Sequence, residues 1–132
     1  MLSGRRPANL GVREGRLSPP KRTPNCVSSQ ADPSDAVHYV APIAFRGPAG
    51  EAMQAARRAV EAMERASIVR EAPAYLYAEC RSRLLGYVDD LELYFDEPAG
   101  VFHVRSASRL GRRDFGVNRK RVEALRRALE RS

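Results

Sequence analysis

Tyr87-Val88-Asp89-Asp90-Leu91-Glu92-Leu93-Tyr94-Phe95-Asp96-Glu97-Pro98-Ala99-Gly100-Val101-Phe102-His103-Val104-Arg105-Ser106-Ala107 reads as two strands around a turn. Leu91, Leu93 and Phe95 alternate with Asp90, Glu92 and Tyr94, the period-two pattern of a strand with one buried face. Glu97-Pro98-Ala99-Gly100 supplies the hairpin turn, and Val101 to Ala107 is expected to pair back. The alternation puts Asp89 in line with Tyr87, Leu91 and Leu93, whereas Asp90 should face away. Asp89 is thus a candidate buried carboxylate, which needs partners, and Arg105 and Arg109 are in reach on the returning strand. A bulge after Gly86 would instead turn Asp89 outward.

Upstream, Leu76, Ala78 and Cys80 alternate with Tyr75, Tyr77, Glu79 and Arg81, a third strand, and Ser67 to Glu71 is a short fourth. Pro48 suits the first turn of a helix, in which Met53, Ala56, Val60 and Met63 recur at helical spacing up to about Arg65. Val37, Tyr39, Ala41, Ile43 and Phe45 share a face of an expected first strand, placed at an edge by Pro42. A last helix is expected from Asn118, a good N-cap, to Arg131, with Val122, Leu125 and Leu129 on one stripe. The order β-α-β-β-β-β-α implies one α+β domain, a mainly antiparallel five-stranded sheet with both helices on one face. Residues 1–23, rich in Pro, Gly and basic side chains, read as a flexible arm, leaving 24–132 as the domain.

With 132 residues there is room for one core. The net charge of +7 would suit nucleic acid, an anionic membrane face or an acidic partner. It is unevenly spread: residues 1–30 carry +5 and 101–132 carry +7, against −4 over 73–100. The aromatics lie with the apolar and acidic residues rather than along a basic stripe, so nucleic-acid binding is not expected. No apolar run is long enough to span a membrane and no signal peptide is visible, which places the chain as written in the cytoplasm, or at the envelope if an export signal precedes Met1. Two cysteines cannot build a disulfide framework, and free thiols are the expectation.

Between the returning strand and the last helix, Ser106, Ser108 and a cluster of arginines suggest an anion site, because free N–H groups at a helix start favour negative charge. Arg105, Ser106, Ser108, Arg109 and Asn118 are its candidate contacts. The competing reading is internal pairing of these cations with Asp89, Asp90 or Asp114. Cys26 and His38 could form a thiolate pair oriented by Asp35 or Asp89, although a structural loop cysteine is the simpler expectation. In the loop Asn25-Cys26-Val27-Ser28-Ser29, both serines are expected to tie the chain by backbone hydrogen bonds. No His, Cys or carboxylate spacing suggests a metal, and no cofactor is expected.

Pro24-Asn25-Cys26-Val27-Ser28-Ser29-Gln30, the His38 to Pro42 segment, Tyr87-Val88-Asp89-Asp90-Leu91-Glu92, Val104-Arg105-Ser106-Ala107-Ser108-Arg109 and Gly116-Val117-Asn118-Arg119-Lys120-Arg121-Val122-Glu123 form a recognisable set. Through them the chain resembles the bacterial and plastid family catalogued as domain of unknown function 1499, over residues 10 to 129 or so. The resemblance implies one intact domain and no particular activity. Family members commonly carry Cys-Pro ahead of the Pro-Asn-Cys motif, where this chain has Pro20-Lys21, so no site can use that cysteine here. The resulting expectation is a non-enzymatic binding module for a small anion or an acidic protein segment. An enzyme using Cys26 or Asp89, and a structural or interaction protein of the cell envelope, are the alternatives.

Overall fold

The hairpin is the centre of the sheet in the computed structural model, which describes residues 4–83 and 85–131. In chain order the elements are β1 (Cys26–Ser28), β2 (Ile43–Ala44), α1 (Ala49–Glu61), β3 (Ala66–Ala72), β4 (Tyr75–Arg81), β5 (Val88–Asp96), β6 (Val101–Ser108) and α2 (Val117–Glu130). The spatial order is β1-β6-β5-β4-β3, with β2 beside β1 on the same edge of β6, and every strand pair is antiparallel. The α+β class and the helix placement hold, with six strands in place of five.

The extra strand corrects the reading of the N-terminal half. Of the strand expected over Val37 to Phe45, only Ile43–Ala44 pairs with β6. Asp35 folds the preceding segment into a turn: its side chain accepts from the N–H groups of Val37 and His38, and its carbonyl accepts from that of Tyr39. These local bonds compete with a ladder, and Pro42 has no donor to contribute. Cys26–Ser28, expected as loop, takes the free edge of β6 instead, opposite Arg105 to Ala107.

The two helices bury one face of the sheet. The stripe of α1 is mostly alanine (Ala52, Ala55, Ala56, Ala59), which lets its backbone approach closely, while α2 contributes Val122, Leu125 and Leu129. Against them pack Leu76, Ala78 and Cys80 of β4, Leu91, Leu93 and Phe95 of β5, and Phe102 and Val104 of β6. Phe45 meets Phe95 and Phe102 edge-on, the geometry that aromatic quadrupoles favour.

The opposite face is buried as well, but it is charged. Tyr75, Tyr77, Glu79, Asp90, Glu92, Arg105 and Arg109 project from it, and residues 4–23 lie across them as a strap. Arg109 grips Asp90 through Nε and Nη2 at 3.0 and 2.9 Å and reaches Glu79 at 2.5 Å, while Tyr77 donates to Asp90 at 2.5 Å. Glu92 accepts from the Tyr75 hydroxyl at 2.6 Å and from the Gly11 N–H at 2.7 Å. Its pKa is raised, chiefly by burial, and both tyrosines are held well above the ordinary phenol range by burial and by their carboxylate partners.

The strap is fastened mainly through backbone groups. Arg105 donates to the Pro19 carbonyl, Arg109 to that of Gly4, and Gln30 brackets the turn at 15–17 by accepting from the Leu17 N–H and donating to the Gly15 carbonyl. Arg6 pairs with Glu79 at 2.8 Å, and Leu17, only 4% exposed, packs with Tyr75 and Tyr77 alongside Leu10 and Val12. The expectation of an arm that stays off the domain is therefore overturned for the described residues. Burying charges on a sheet face requires a cover that excludes water and supplies donors and acceptors, and this segment does both.

A chain beginning at Arg22 should melt on the order of 10 °C below the full chain, because the charged layer would lose its cover. Unchanged melting would show that the strap contributes nothing to stability. Asp90→Ala should cost about 3–5 kcal/mol, since it leaves Arg109 and Tyr77 buried with broken bonds. Asp89→Ala should cost less, because Asp89, though buried, is less completely enclosed than Asp90 and makes a single ion pair. This order reverses the one that strand alternation alone implies, and chemical denaturation of both variants decides it.

Candidate functional site

The C-terminal ends of β4 and β6, the start of β5 and the start of α2 meet at one end of the sheet, where the chain concentrates polar residues beneath a helix. Asn118, fully buried in the first turn of α2, binds three elements at once. Its amide donates to the Asn25 carbonyl, to Ser108 Oγ at 2.9 Å and to Asp114 at 2.7 Å, and its carbonyl oxygen accepts from Ser106 Oγ at 2.6 Å. Arg121, one turn further, donates to Asn118 Oδ1 and Ser106 Oγ and pairs with Asp89 at 2.9 Å. Asn25, just before β1, closes the joint by donating to the carbonyls of Leu110 and Gly111.

The start of α2 is already served by the protein's own anion. Asp114 accepts from the backbone N–H groups of Gly116 and Asn118 at 2.9 and 3.0 Å. Burial opposes its charge, but the Asn118 and Gly116 donors outweigh this and lower its pKa. Asn118 is thus a structural joint inside the helix rather than its cap. An acid followed by glycine, Asp114-Phe115-Gly116, is the sequence signal for this start.

The five residues expected to bind an anion do not converge. Ser106, Ser108 and Asn118 lie on the helix side of the sheet, whereas Arg105 and Arg109 project beneath the strap, because residues of opposite parity on one strand point to opposite faces. Asp89 is buried and faces the helices, but its partner is Arg121 rather than Arg105 or Arg109. Those two arginines serve Glu92, at a looser 3.9 Å, and Asp90.

Cys26 and His38 do not meet. Cys26 is fully buried beside Ala107, and its thiol pKa is pushed up, chiefly by burial. His38 bonds Asp35 through Nδ1 at 2.7 Å and the Thr23 carbonyl through Nε2 at 2.9 Å. Burial works against its charged form, but those two acceptors prevail and its pKa is raised. Ser29 accepts from the Val104 N–H, Ser28 accepts from the Gln30 N–H, and both cysteines are free. Among the described residues no group of three His, Cys, Asp or Glu could hold a metal ion, and no helix is long and apolar enough to cross a membrane.

Above the polar joint opens a cavity of about 460 Å³, lined by Tyr87, Val88, Leu110, Phe115 and Val117, with Ser82, Asp89, Ser108 and Asp114 as its polar groups and Arg113 as its cation. A second hollow of about 430 Å³ lies on the other side of Phe115, toward Pro24, Val27 and Val37. The strand and helix periods do not reveal this cavity, since its walls come from the non-periodic segment between β6 and α2. The exposed Leu110 and Phe115 in that basic stretch were the available signal.

No curated protein and no solved structure matches the chain. A family model described as "Protein of unknown function (DUF1499)" matches residues 16–129, the whole sheet, α1 and all but the last residue of α2. The strap from Arg16 onward, the Asn25 and Asn118 joint and the cavity-lining loop all lie inside that span, and the chain belongs to the DUF1499 family.

Proposed function

We propose that this protein is a non-catalytic binding module for an amphipathic organic anion, received in the cavity between the β5–β6 end of the sheet and the loop preceding α2. The carrying observation is the combination of an apolar wall, Tyr87, Val88, Leu110, Phe115 and Val117, with an exposed Arg113 that makes no ion pair among the described residues. The size is within the range of small-molecule sites, about 300–1,000 Å³. The carboxylates in the cavity do not oppose an anion strongly, because Arg121 neutralises Asp89 and the α2 start holds Asp114. An apolar body in the cavity with its acid group at Arg113 satisfies both features. A bare inorganic anion does not, since the helix start that would bind it holds Asp114.

Thiol catalysis finds no support in the surroundings of Cys26, a buried thiol with a raised pKa and no imidazole contact.

Calorimetric titration should detect decanoate binding, with decanol weaker and decylammonium weakest. Arg113→Glu should lower decanoate affinity roughly three- to tenfold, the scale of one exposed charge contact reversed. Val117→Trp, which fills the cavity from an exposed helix position, should abolish it. Equal affinity for decanoate and decylammonium, or retention by Val117→Trp, refutes the reading. Both thiols should react with iodoacetamide more slowly than free cysteine in the folded protein, and faster alkylation of Cys26 would restore the enzymatic alternative.

A further inference from the structure

The cavity's rim carries an unusual group of exposed apolar side chains. Phe115 is 88% exposed, on a backbone with φ of 53° that is costly for any residue with a side chain. Leu85, 57% exposed, stands with Tyr87 on the β4–β5 loop, which is closed by the hydrogen bonds between Ser82 and Tyr87. Leu110 and Val117 complete the set, and the cavity lining places the two loops side by side.

Around them is a ring of cations. Arg81 and Arg83 flank one loop, Arg112 and Arg113 occupy the other, and Arg5 follows Gly4, which lies against Leu110. All five are exposed and none makes an ion pair among the described residues. The acids of this end are engaged: Asp89 with Arg121, Asp90 and Glu79 with Arg109, and Asp114 with the start of α2.

From this arrangement we propose that the loop end, led by Phe115 and Leu85 and ringed by Arg5, Arg81, Arg83, Arg112 and Arg113, docks on an anionic lipid surface. Apolar tips entering the headgroup boundary while guanidiniums remain among lipid phosphates is the geometry of a peripheral membrane contact. A protein partner is less well matched. The apolar groups stand on separate loop tips around an opening instead of forming a continuous central patch, and the arginines circle them without any preset carboxylate geometry. The proposal goes beyond cavity binding but rests on the same face, so its test must separate the two.

Co-sedimentation of the full chain with phosphatidylcholine vesicles, with and without phosphatidylglycerol, provides that test. Binding is expected only with the anionic lipid and should weaken with added salt, since surface charge is screened within about 10 Å at 0.1 M. Leu85→Ser combined with Phe115→Ser should reduce partitioning about tenfold or more, the scale of withdrawing two apolar side chains. Arg83→Glu with Arg112→Glu should do the same, with circular dichroism confirming that both variants fold. Arg83→Glu with Leu85→Ser, neither of which lines the cavity, should lose vesicle binding while keeping decanoate binding, so that loss of docking and loss of the cavity function read out separately. Equal binding to neutral vesicles, no binding to either, or anionic binding that survives loss of Leu85 and Phe115 overturns the proposal. If soluble polyglutamate displaces the vesicles and the serine variant binds as the parent does, the surface is one for acidic polypeptides instead.

Discussion

The buried pair of Asp90 and Arg109 decides how this sheet is used. A six-stranded antiparallel sheet with helices on one face ordinarily leaves the other to solvent, and its outward residues are polar for that reason. Here the outward residues are polar but solvent is absent. Arg109 binds Asp90 at 2.9 Å and Glu79 at 2.5 Å, Tyr77 and Tyr75 donate to Asp90 and Glu92, and the strap seals them. Among the described residues, Glu92 Oε1 and Arg105 Nε find no hydrogen-bond partner in that layer. Each such group costs stability, so the rest of the network and the strap's backbone donors and acceptors must be well placed. The course of the strap follows from keeping this face dry.

The second polar joint works differently. Asn118 holds Asn25, Ser106, Ser108 and Asp114 together beneath α2, and Arg121 extends the joint to Asp89. It fixes the start of α2 against β1 and β6, so the segment 109–116 must leave the sheet and return within a short span. That segment closes the side of the cavity with Leu110 and Phe115. A rigid base therefore carries an exposed loop, the usual division between scaffold and binding surface.

The helix side of the sheet was legible in the sequence because burial on one face imposes a strict period. Leu91, Leu93 and Phe95 predict their own placement, and Asp89 follows from the same parity. The strap side was not legible, since alternation distinguishes one face from the other but cannot say that a distant segment covers the polar one. Asp90 and Glu92 are read as exposed until residues 4–23 are placed over them. The strap itself has no period because it is fastened through main-chain groups at Gly4, Gly11 and Pro19, which side-chain patterns do not report. The expected strand over Val37 to Phe45 failed for a local reason: Asp35 offers the backbone a turn before any ladder forms. The candidate anion site mixed residues of both parities, and the sheet separates them.

The net charge, read as a sum, invites the idea of a generally basic protein, yet the cations divide by what they bind. Arg105 and Arg109 face the carboxylates of the covered layer, and Arg121 neutralises Asp89. Arg119 and Arg126 donate to carbonyls of the chain between β1 and β2, fastening α2 across that segment. Those five are structural. Four of the cations that make no ion pair among the described residues, Arg81, Arg83, Arg112 and Arg113, stand at the end where the cavity opens, beside the exposed Phe115 and Leu85. The acids of that end are engaged internally, so these four charges are not offset there, and they coincide with a part of the surface where apolar groups are left without cover.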